Sequence, residues 1–234
     1  GVALYKRGGK WVRKVKPWPE SIDEWTHYLH DAGGNPVAQD TEISPPKGLQ
    51  WRGSPRWGRH HDHIASLNAQ VTANGRLFYV IDRGSRKSIL LPSRWTLVAR
   101  DAFNGTILWE KDIKRWHTPL WPLKSGPAQL PRKLVAVEDT VYAVMGAESP
   151  VVALDAATGK RKRTYPGTKG AQEIIVADDT LYVVVGSDPG NIDKPTVGDV
   201  RSQARNKPWW TKEKSRLVAF DANSTDRLWQ AKRK

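Results

Sequence analysis

The sequence predicts an all-β fold: a β-propeller of four-stranded antiparallel blades, with about three and a half blades of a larger ring in 234 residues. Three observations carry this prediction. The chain contains short apolar runs of strand length, turn residues stand between them, and one strand-and-turn pattern recurs along the chain. A β-sandwich also uses short strands, but it has no reason to repeat its turn chemistry at the same place in each unit.

The repeated pattern is an apolar strand that runs into a tight turn. Residues 151–160 read Val-Val-Ala-Leu-Asp-Ala-Ala-Thr-Gly-Lys. Asp155 caps the turn through its side chain, and Gly159 supplies the positive φ that reverses the chain. The same layout returns at 97–105 and 217–225. The corresponding turn residues there are Asp101, Gly105 and Asp221.

Each copy of this pattern is preceded by two apolar runs that a short turn separates. These turns are Asn74-Gly75, Glu138-Asp139 and Asp178-Asp179. An Asn-Gly pair between such runs is a strong signal for a β-hairpin. Each unit therefore reads as a hairpin, a connection and a second hairpin, which makes four short antiparallel strands.

We expect one propeller segment over residues 1–234. Residues 1–19 form the end of a preceding blade, because 2–10 align with the strand and turn at 152–160. The predicted blades are 20–116 with a long N-terminal loop, 117–168, and 169–234 with a long insert at 186–215. A partial propeller exposes open sheet faces. We therefore expect the remainder of the propeller to come from the same chain or from a second chain.

Composition narrows the classes of function. The chain has no cysteine, which excludes disulfides, thiolate metal sites and cysteine nucleophiles. It has no apolar run of about 18 residues that would predict a transmembrane helix. Its net charge of +14 favours acidic partners. The basic runs at 160–163 and 232–234 lack an aromatic recognition motif, so we expect a protein partner rather than nucleic acid.

One motif resembles a known repeat. Ala99, Asp101, Gly105 and Trp109 give the pattern Ala-x-Asp-x-x-x-Gly followed by Trp, and the last copy ends in Trp229. This pattern resembles the repeat of pyrroloquinoline-quinone-like, or quinoprotein dehydrogenase-like, β-propellers. The resemblance covers residues 69–234 well and the first nineteen residues more weakly. Two departures concern the turn and the tryptophan. The middle copy has Arg163 in place of the tryptophan, with Tyr165 as its substitute, and the last copy has Thr225 in place of the glycine.

The resemblance implies roles for these residues. In the family, the tryptophan at the end of the outer strand packs against the neighbouring blade. Trp109 and Trp229 are therefore expected to dock blades together with the turn residues. The turn residues in question are Asp101, Asp155, Asp221, Gly105 and Gly159.

The resemblance also implies a setting and two functions. The expected location is periplasmic or secreted, and the expected function is binding or scaffolding within a bacterial extracytoplasmic protein. The alternative is a quinone- or metal-dependent oxidoreductase with a site near the propeller axis. Pyrroloquinoline quinone or a metal ion is a candidate cofactor by resemblance only, because no ligand set can be placed by motif.

Histidines are concentrated before the first complete hairpin. His60, His61 and His63 are candidate metal ligands, because alternate residues of an extended chain share one face and imidazole binds zinc, copper and iron. The other interpretation is a loop whose histidines bond the backbone and cover the propeller mouth, since their spacing matches no compact metal signature. Upstream, residues 21–25 predict a capped helical turn, and His27 and His30 could share one face of such a turn.

Overall fold

The computed structural model describes residues 2–15, 17, 19–42, 45, 47–59, 65–88, 91–116, 130–186 and 215–232. The predicted long insert lies almost entirely outside the described residues. Within the described part of the chain, no helix has the length and hydrophobicity that crossing a membrane requires.

The strands form one hairpin and three four-stranded sheets. The hairpin pairs β1 (Val2–Arg7) with β2 (Lys10–Val15). The first four-stranded sheet contains β3 (Leu67–Ala73), β4 (Arg76–Asp82), β5 (Trp95–Asp101) and β6 (Ile107–Asp112). The second contains β7 (Leu134–Val137), β8 (Thr140–Val144), β9 (Val151–Asp155) and β10 (Arg161–Thr164). The third contains β11 (Ala171–Ala177), β12 (Thr180–Val185), β13 (Arg216–Asp221) and β14 (Arg227–Lys232).

Each four-stranded sheet is an antiparallel meander in which neighbouring strands follow one another in sequence. These sheets are the blades of an open part of a propeller. The prediction of an all-β propeller with about three and a half blades is therefore confirmed.

The turn between the third and fourth strand has the same construction in every blade. The Asp155 carboxylate accepts a hydrogen bond from the Thr158 backbone N–H at 2.8 Å, and the Gly159 N–H donates to the Asp155 carbonyl at 2.8 Å. Asp101 and Asp221 accept the corresponding bonds from the residues that follow them. Local side-chain capping thus fixes the reversal of each outer hairpin.

The hydrophobic core lies between the blades. Strands alternate their side chains between two faces, so the middle sheet packs one face on the first blade and the other on the third, while the first and third sheets each pack one face on the middle sheet. The largest fully buried side chains of this core include Phe78, Leu97, Leu134, Tyr165, Leu181 and Phe220. The β1–β2 hairpin, in contrast, is exposed along both strands, with Trp11 70% exposed.

The predicted helical turn at 21–25 is wrong. These residues are not helical, and His27 and His30 instead form an isolated antiparallel bridge around a tight turn. The reason is tertiary. The Trp25 N–H donates to the Thr72 hydroxyl of β3, the Trp25 carbonyl accepts the Thr72 N–H, and the Ser21 carbonyl accepts the Thr41 N–H, so these groups do not bond one turn back along the chain.

Candidate functional site

The first strand of each blade lies at the centre of the molecule. β3 contacts β7, and β7 contacts β11, so these three are the innermost strands around the propeller axis. An innermost strand has one unpaired edge, whose N–H and C=O groups need other partners. Residues 20–41, which we call the axial segment, supply partners for this edge.

Three consecutive residues of the axial segment bond one blade each. The Thr72 N–H donates to the Trp25 carbonyl at 2.7 Å, and the Ala136 N–H donates to the Thr26 carbonyl at 2.9 Å. The Val176 N–H donates to the His27 Nε2 atom at 3.1 Å.

The three donors occupy equivalent positions. Thr72 pairs with Leu77, Ala136 with Val141, and Val176 with Leu181, each in the hairpin formed by the first two strands of its blade. Because one short stretch satisfies the same backbone group in three blades, it fixes their relative placement around the axis.

His27 is a buried neutral acceptor. Burial lowers the pKa of His27 to about 4, because the charged imidazolium would lose its hydration. Since Nε2 accepts the Val176 N–H, the ring proton lies on Nδ1, which is 2.8 Å from the Thr26 hydroxyl oxygen. The Thr26 hydroxyl in turn donates to the His30 carbonyl at 3.3 Å.

His30 has the opposite electrostatic setting. Its Nε2 lies 2.6 Å from the Asp23 carboxylate and its Nδ1 lies 3.1 Å from Asp31. The Asp23 hydrogen bond raises the pKa of His30. The pKa of Asp23 is lowered, first by the N–H of Gln39 and then by His30. His30 and Asp23 therefore form an ion pair within the axial segment, and the Gln39 N–H bonds to the same carboxylate.

The space left beside the axial segment is small. A cavity of about 70 Å³ lies between this segment and β11, and its walls include Tyr28, Arg132 and Glu173. Ligand pockets usually measure roughly 300–1,000 Å³. Both ring nitrogens of His27 and of His30 already have partners. Among the described residues, no three histidine, aspartate or glutamate side chains converge as a metal site would require.

A second recurring contact joins neighbouring blades through an aromatic ring. The Trp109 Nε1 donates to the Ala156 carbonyl of the next blade at 2.9 Å, and the ring is nearly fully buried. The Tyr165 hydroxyl donates to the Ala222 carbonyl at 2.7 Å. We call these side chains docking rings.

Trp51 is a docking ring that the sequence analysis missed. Its Nε1 donates to the Ala102 carbonyl at 2.8 Å, the same bond that Trp109 makes to Ala156. Its ring lies over Gly105, as the Trp109 ring lies over Gly159. The sequence contained a signal for this role in its spacing. Trp51 precedes Gly105 by about the same length of chain as Trp109 precedes Gly159.

Trp229 lies at the position of a docking ring on the last blade. It pairs with Tyr182 at a centroid distance of 6.0 Å, as Trp109 pairs with Phe78 at 6.0 Å. Trp229 is nevertheless 44% exposed, and no blade follows it among the described residues.

The candidate metal ligands His60, His61 and His63 lie outside the described residues. The residue before them is firmly held: Arg59 forms a buried ion pair with Asp82 at 2.7 Å. The guanidinium also donates to the Ser93 hydroxyl and to the carbonyls of Ser85, Ser88 and Leu91.

The sequence of the chain matches one known protein family. A family model described as outer membrane protein assembly factor BamB matches residues 49–194 and again residues 95–234. The two overlapping matches cover the chain from residue 49 to its last residue. The chain belongs to this family of PQQ-like propeller repeats. The resemblance stated above is therefore confirmed. No curated protein matches the chain.

Several solved structures are similar in fold. A europium-containing methanol dehydrogenase has 13% identity and a TM-score of 0.45, covering 90% of this chain and 32% of its own. Quinohemoprotein alcohol dehydrogenase from Comamonas testosteroni has 15% identity and a TM-score of 0.43, covering 89% and 27%. BamB from Moraxella catarrhalis has 14% identity and a TM-score of 0.32, covering 71% and 48%. The chain thus spans about a third or less of either dehydrogenase and about half of that BamB.

Proposed function

We propose that this chain is a binding and scaffolding module of a bacterial extracytoplasmic protein. In this proposal, a protein surface or further propeller sequence completes the open face of its last blade. Membership of the family described as an outer membrane assembly factor supports this role. The observation that carries the proposal is the exposed docking ring Trp229.

The open face is built like the two internal contacts. Trp229 and Tyr182 form the aromatic pair that Trp109 and Phe78 form where two blades meet. Leu217 on the same face is 36% exposed, whereas Leu97 at the equivalent place in the first blade is fully buried. An aromatic pair with a free indole N–H is typical of a surface that binds another protein.

The segment that covers Trp229 is not one of the blade turns of this chain. Docking rings use the turns that follow Asp101, Asp155 and Asp221, and each of these turns already holds one: Trp51, Trp109 and Tyr165, respectively. The turn of the β1–β2 hairpin at Gly8-Gly9 is unoccupied, but it holds only two residues and lacks the capping Asp. A second copy therefore offers no unoccupied Asp-capped turn among the described residues. We propose that Trp229 docks on a turn carbonyl supplied by a different protein segment.

The alternative function is a quinone- or metal-dependent oxidoreductase with a site near the axis, in which His60, His61 and His63 would hold a metal. The axial segment argues for the binding role. It accepts one inner-strand N–H from each of the three blades and leaves a cavity of about 70 Å³ beside β11.

The test places a photo-crosslinking amino acid at position 217 in the producing cell, with position 108 as a control. Leu108 is also exposed, but it lies on the outer strand β6. We expect a specific cross-linked protein segment from position 217 in the extracytoplasmic fraction, none from position 108, and loss of the cross-link in Trp229→Ala. An absent cross-link would contradict the proposal.

Cofactor content separates the two functions. The same full-length preparation is examined for visible absorbance and for metals by elemental analysis. A quinone chromophore or a stoichiometric metal would favour the oxidoreductase, and His63→Ala should then lower the metal content. The binding proposal predicts neither signal.

A further inference from the structure

The first blade departs from the other two at one interior position. Arg100 pairs with Leu77, just as Leu154 pairs with Val141 and Phe220 with Leu181. Leu154 and Phe220 are buried hydrophobic residues between two blades. At the equivalent place the first blade buries a cation, with Arg100 only 4% exposed.

Neutral groups hold this cation. The Arg100 Nε donates to the Tyr79 hydroxyl at 2.7 Å, Nη1 to the Gly105 carbonyl at 2.6 Å, and Nη2 to the Ser54 carbonyl at 2.7 Å. Among the described residues no carboxylate forms an ion pair with Arg100, although a buried charge without a counter-ion is costly. Each terminal nitrogen carries two N–H groups and uses one in these bonds.

A cavity adjoins the guanidinium. It measures about 310 Å³, is open to solvent, and lies between the first blade and the loop at 51–58. Trp51 and Tyr79 form aromatic walls, with the Arg100 guanidinium carbon 5.9 Å from the centroid of each ring. Leu77 and Ile81 add apolar surface. The volume falls within the range of roughly 300–1,000 Å³ typical of small-molecule sites.

We propose that this cavity is a binding site for a carboxylate carried on a planar apolar body, with Arg100 as its anchor. The free N–H groups of the guanidinium fork match the two oxygens of a carboxylate. The ring walls of Trp51 and Tyr79 cover the apolar body. This site is separate from the proposed docking surface at Trp229, which lies on the third blade.

The experiment measures binding of phenylacetate and of its uncharged analogue phenylacetamide to the full chain by calorimetry. We expect phenylacetate to bind at least about tenfold more tightly, because hydrogen bonds to a charged group are the stronger kind. In a second comparison, the binding of N-acetyl-Gly-Phe is measured with a free and with an amidated C-terminus. Tighter binding of the free dipeptide than of phenylacetate would identify a peptide C-terminus as the source of the carboxylate, and the reverse order would identify a small acid.

Two variants test the anchor. Arg100→Leu introduces the residue type found at position 154 and should reduce phenylacetate binding to the level of the amide. Arg100→Lys keeps a charge but loses the fork, so it should bind phenylacetate more weakly than the wild type even if the leucine variant fails to fold. Arg161→Leu on the exposed face of β10 is the control and should bind as the wild type does. Equal binding of acid and amide by the wild type, no binding of either acid, or undiminished binding by Arg100→Lys, would overturn the proposal.

Discussion

Trp109 shows how much a single side chain contributes at the contact between two blades. Its indole fills the space above Gly159, and its N–H satisfies a carbonyl that the turn leaves unpaired. Trp229 has an aromatic neighbour, Tyr182, at the position that Phe78 holds beside Trp109, but Trp229 is 44% exposed. The two tryptophans therefore form a matched pair that differs in burial.

Truncating Trp109 should destabilise the protein far more than truncating Trp229. Trp109→Ala removes a buried ring and is expected to lower the free energy of unfolding by about 3–5 kcal/mol. Trp229→Ala should cost about 1 kcal/mol or less in the isolated chain, because its ring is partly hydrated already. Urea denaturation of both variants measures the difference. Equal losses would show that the Trp109 contact does not join the blades.

His27 should make stability depend on pH in a defined window. Its folded-state pKa of about 4 lies below the ordinary value of 6.5, so the unfolded chain binds the proton more readily. The contribution of His27 is complete above pH 6.5 and is lost as the pH falls from 6.5 towards 4. The expected loss is at most about 3–4 kcal/mol, since one pKa unit corresponds to about 1.4 kcal/mol.

Urea denaturation at several pH values tests this dependence. His27→Gln keeps an oxygen that can accept the Val176 N–H but does not titrate, so its stability should vary less between pH 6.5 and 4. His30→Gln is the control. Because its pKa is raised, His30 contributes stability below pH 6.5 that is lost only as the pH rises through its folded-state pKa. The His30 variant should therefore keep the wild-type slope, and a His27 variant with that same slope would refute the prediction.

At the scale of the element, the turn residue and the docking ring depend on each other. A Cβ atom at Gly105 would lie 2.5 Å from Trp51, and one at Gly159 would lie 2.7 Å from Trp109. The third turn has Thr225 at φ 83°, and there the docking ring is the smaller Tyr165. A Cβ is thus tolerated where the ring is smaller.

Gly159→Ala should be more destabilising than Gly167→Ala. Both glycines have positive φ, 69° and 74°, so both substitutions incur the left-handed penalty of about 1–2 kcal/mol. Only Gly159 has a ring against it, whereas nothing lies within 4 Å of the Cβ position at Gly167. The steric clash should add about 1–3 kcal/mol, measured by thermal or urea unfolding. Similar values for the two variants would mean that the Trp109 ring moves away freely.

At the scale of the whole molecule, the axial segment orders the three described four-stranded blades around the axis. It bonds the innermost strand of every described four-stranded blade, and the Asp23–His30 ion pair folds it back on itself. An open set of blades needs such a device, because each blade otherwise touches only its neighbours.

Hydrogen exchange tests this ordering role. In the wild type, the amides of Thr72, Ala136 and Val176 should be protected although they lie on innermost strands. Asp23→Ala removes the ion pair and the bond from Gln39, so these three amides should exchange about tenfold faster or more. Asp226→Ala, at an exposed turn of the third blade, is the control and should leave them unchanged. Unaltered protection of the three amides in Asp23→Ala would show that the Asp23–His30 ion pair of the axial segment does not hold the blades in place.

Much of the fold follows from local sequence. Strands appear where apolar residues alternate or run together, and turns appear where Asp, Asn and Gly supply capping and positive φ, as at Asp155 and Gly159. These signals act within a few residues, and they recur in each blade. The blade construction and the family could therefore be predicted from the sequence.

The candidate sites depended on contacts between distant parts of the chain. His27 became a neutral acceptor because Val176, far along the sequence, donates to it in a buried setting. Arg100 became a buried cation because Ser54, Tyr79 and Gly105 surround it. The helical turn predicted at 21–25 failed for the same reason, since the Trp25 backbone bonds to Thr72 of β3 and the Ser21 carbonyl accepts the Thr41 N–H. Local chemistry determined the strands and turns. Only the tertiary structure decided which strand edges and which charged side chains are buried, because their partners lie far away in the sequence.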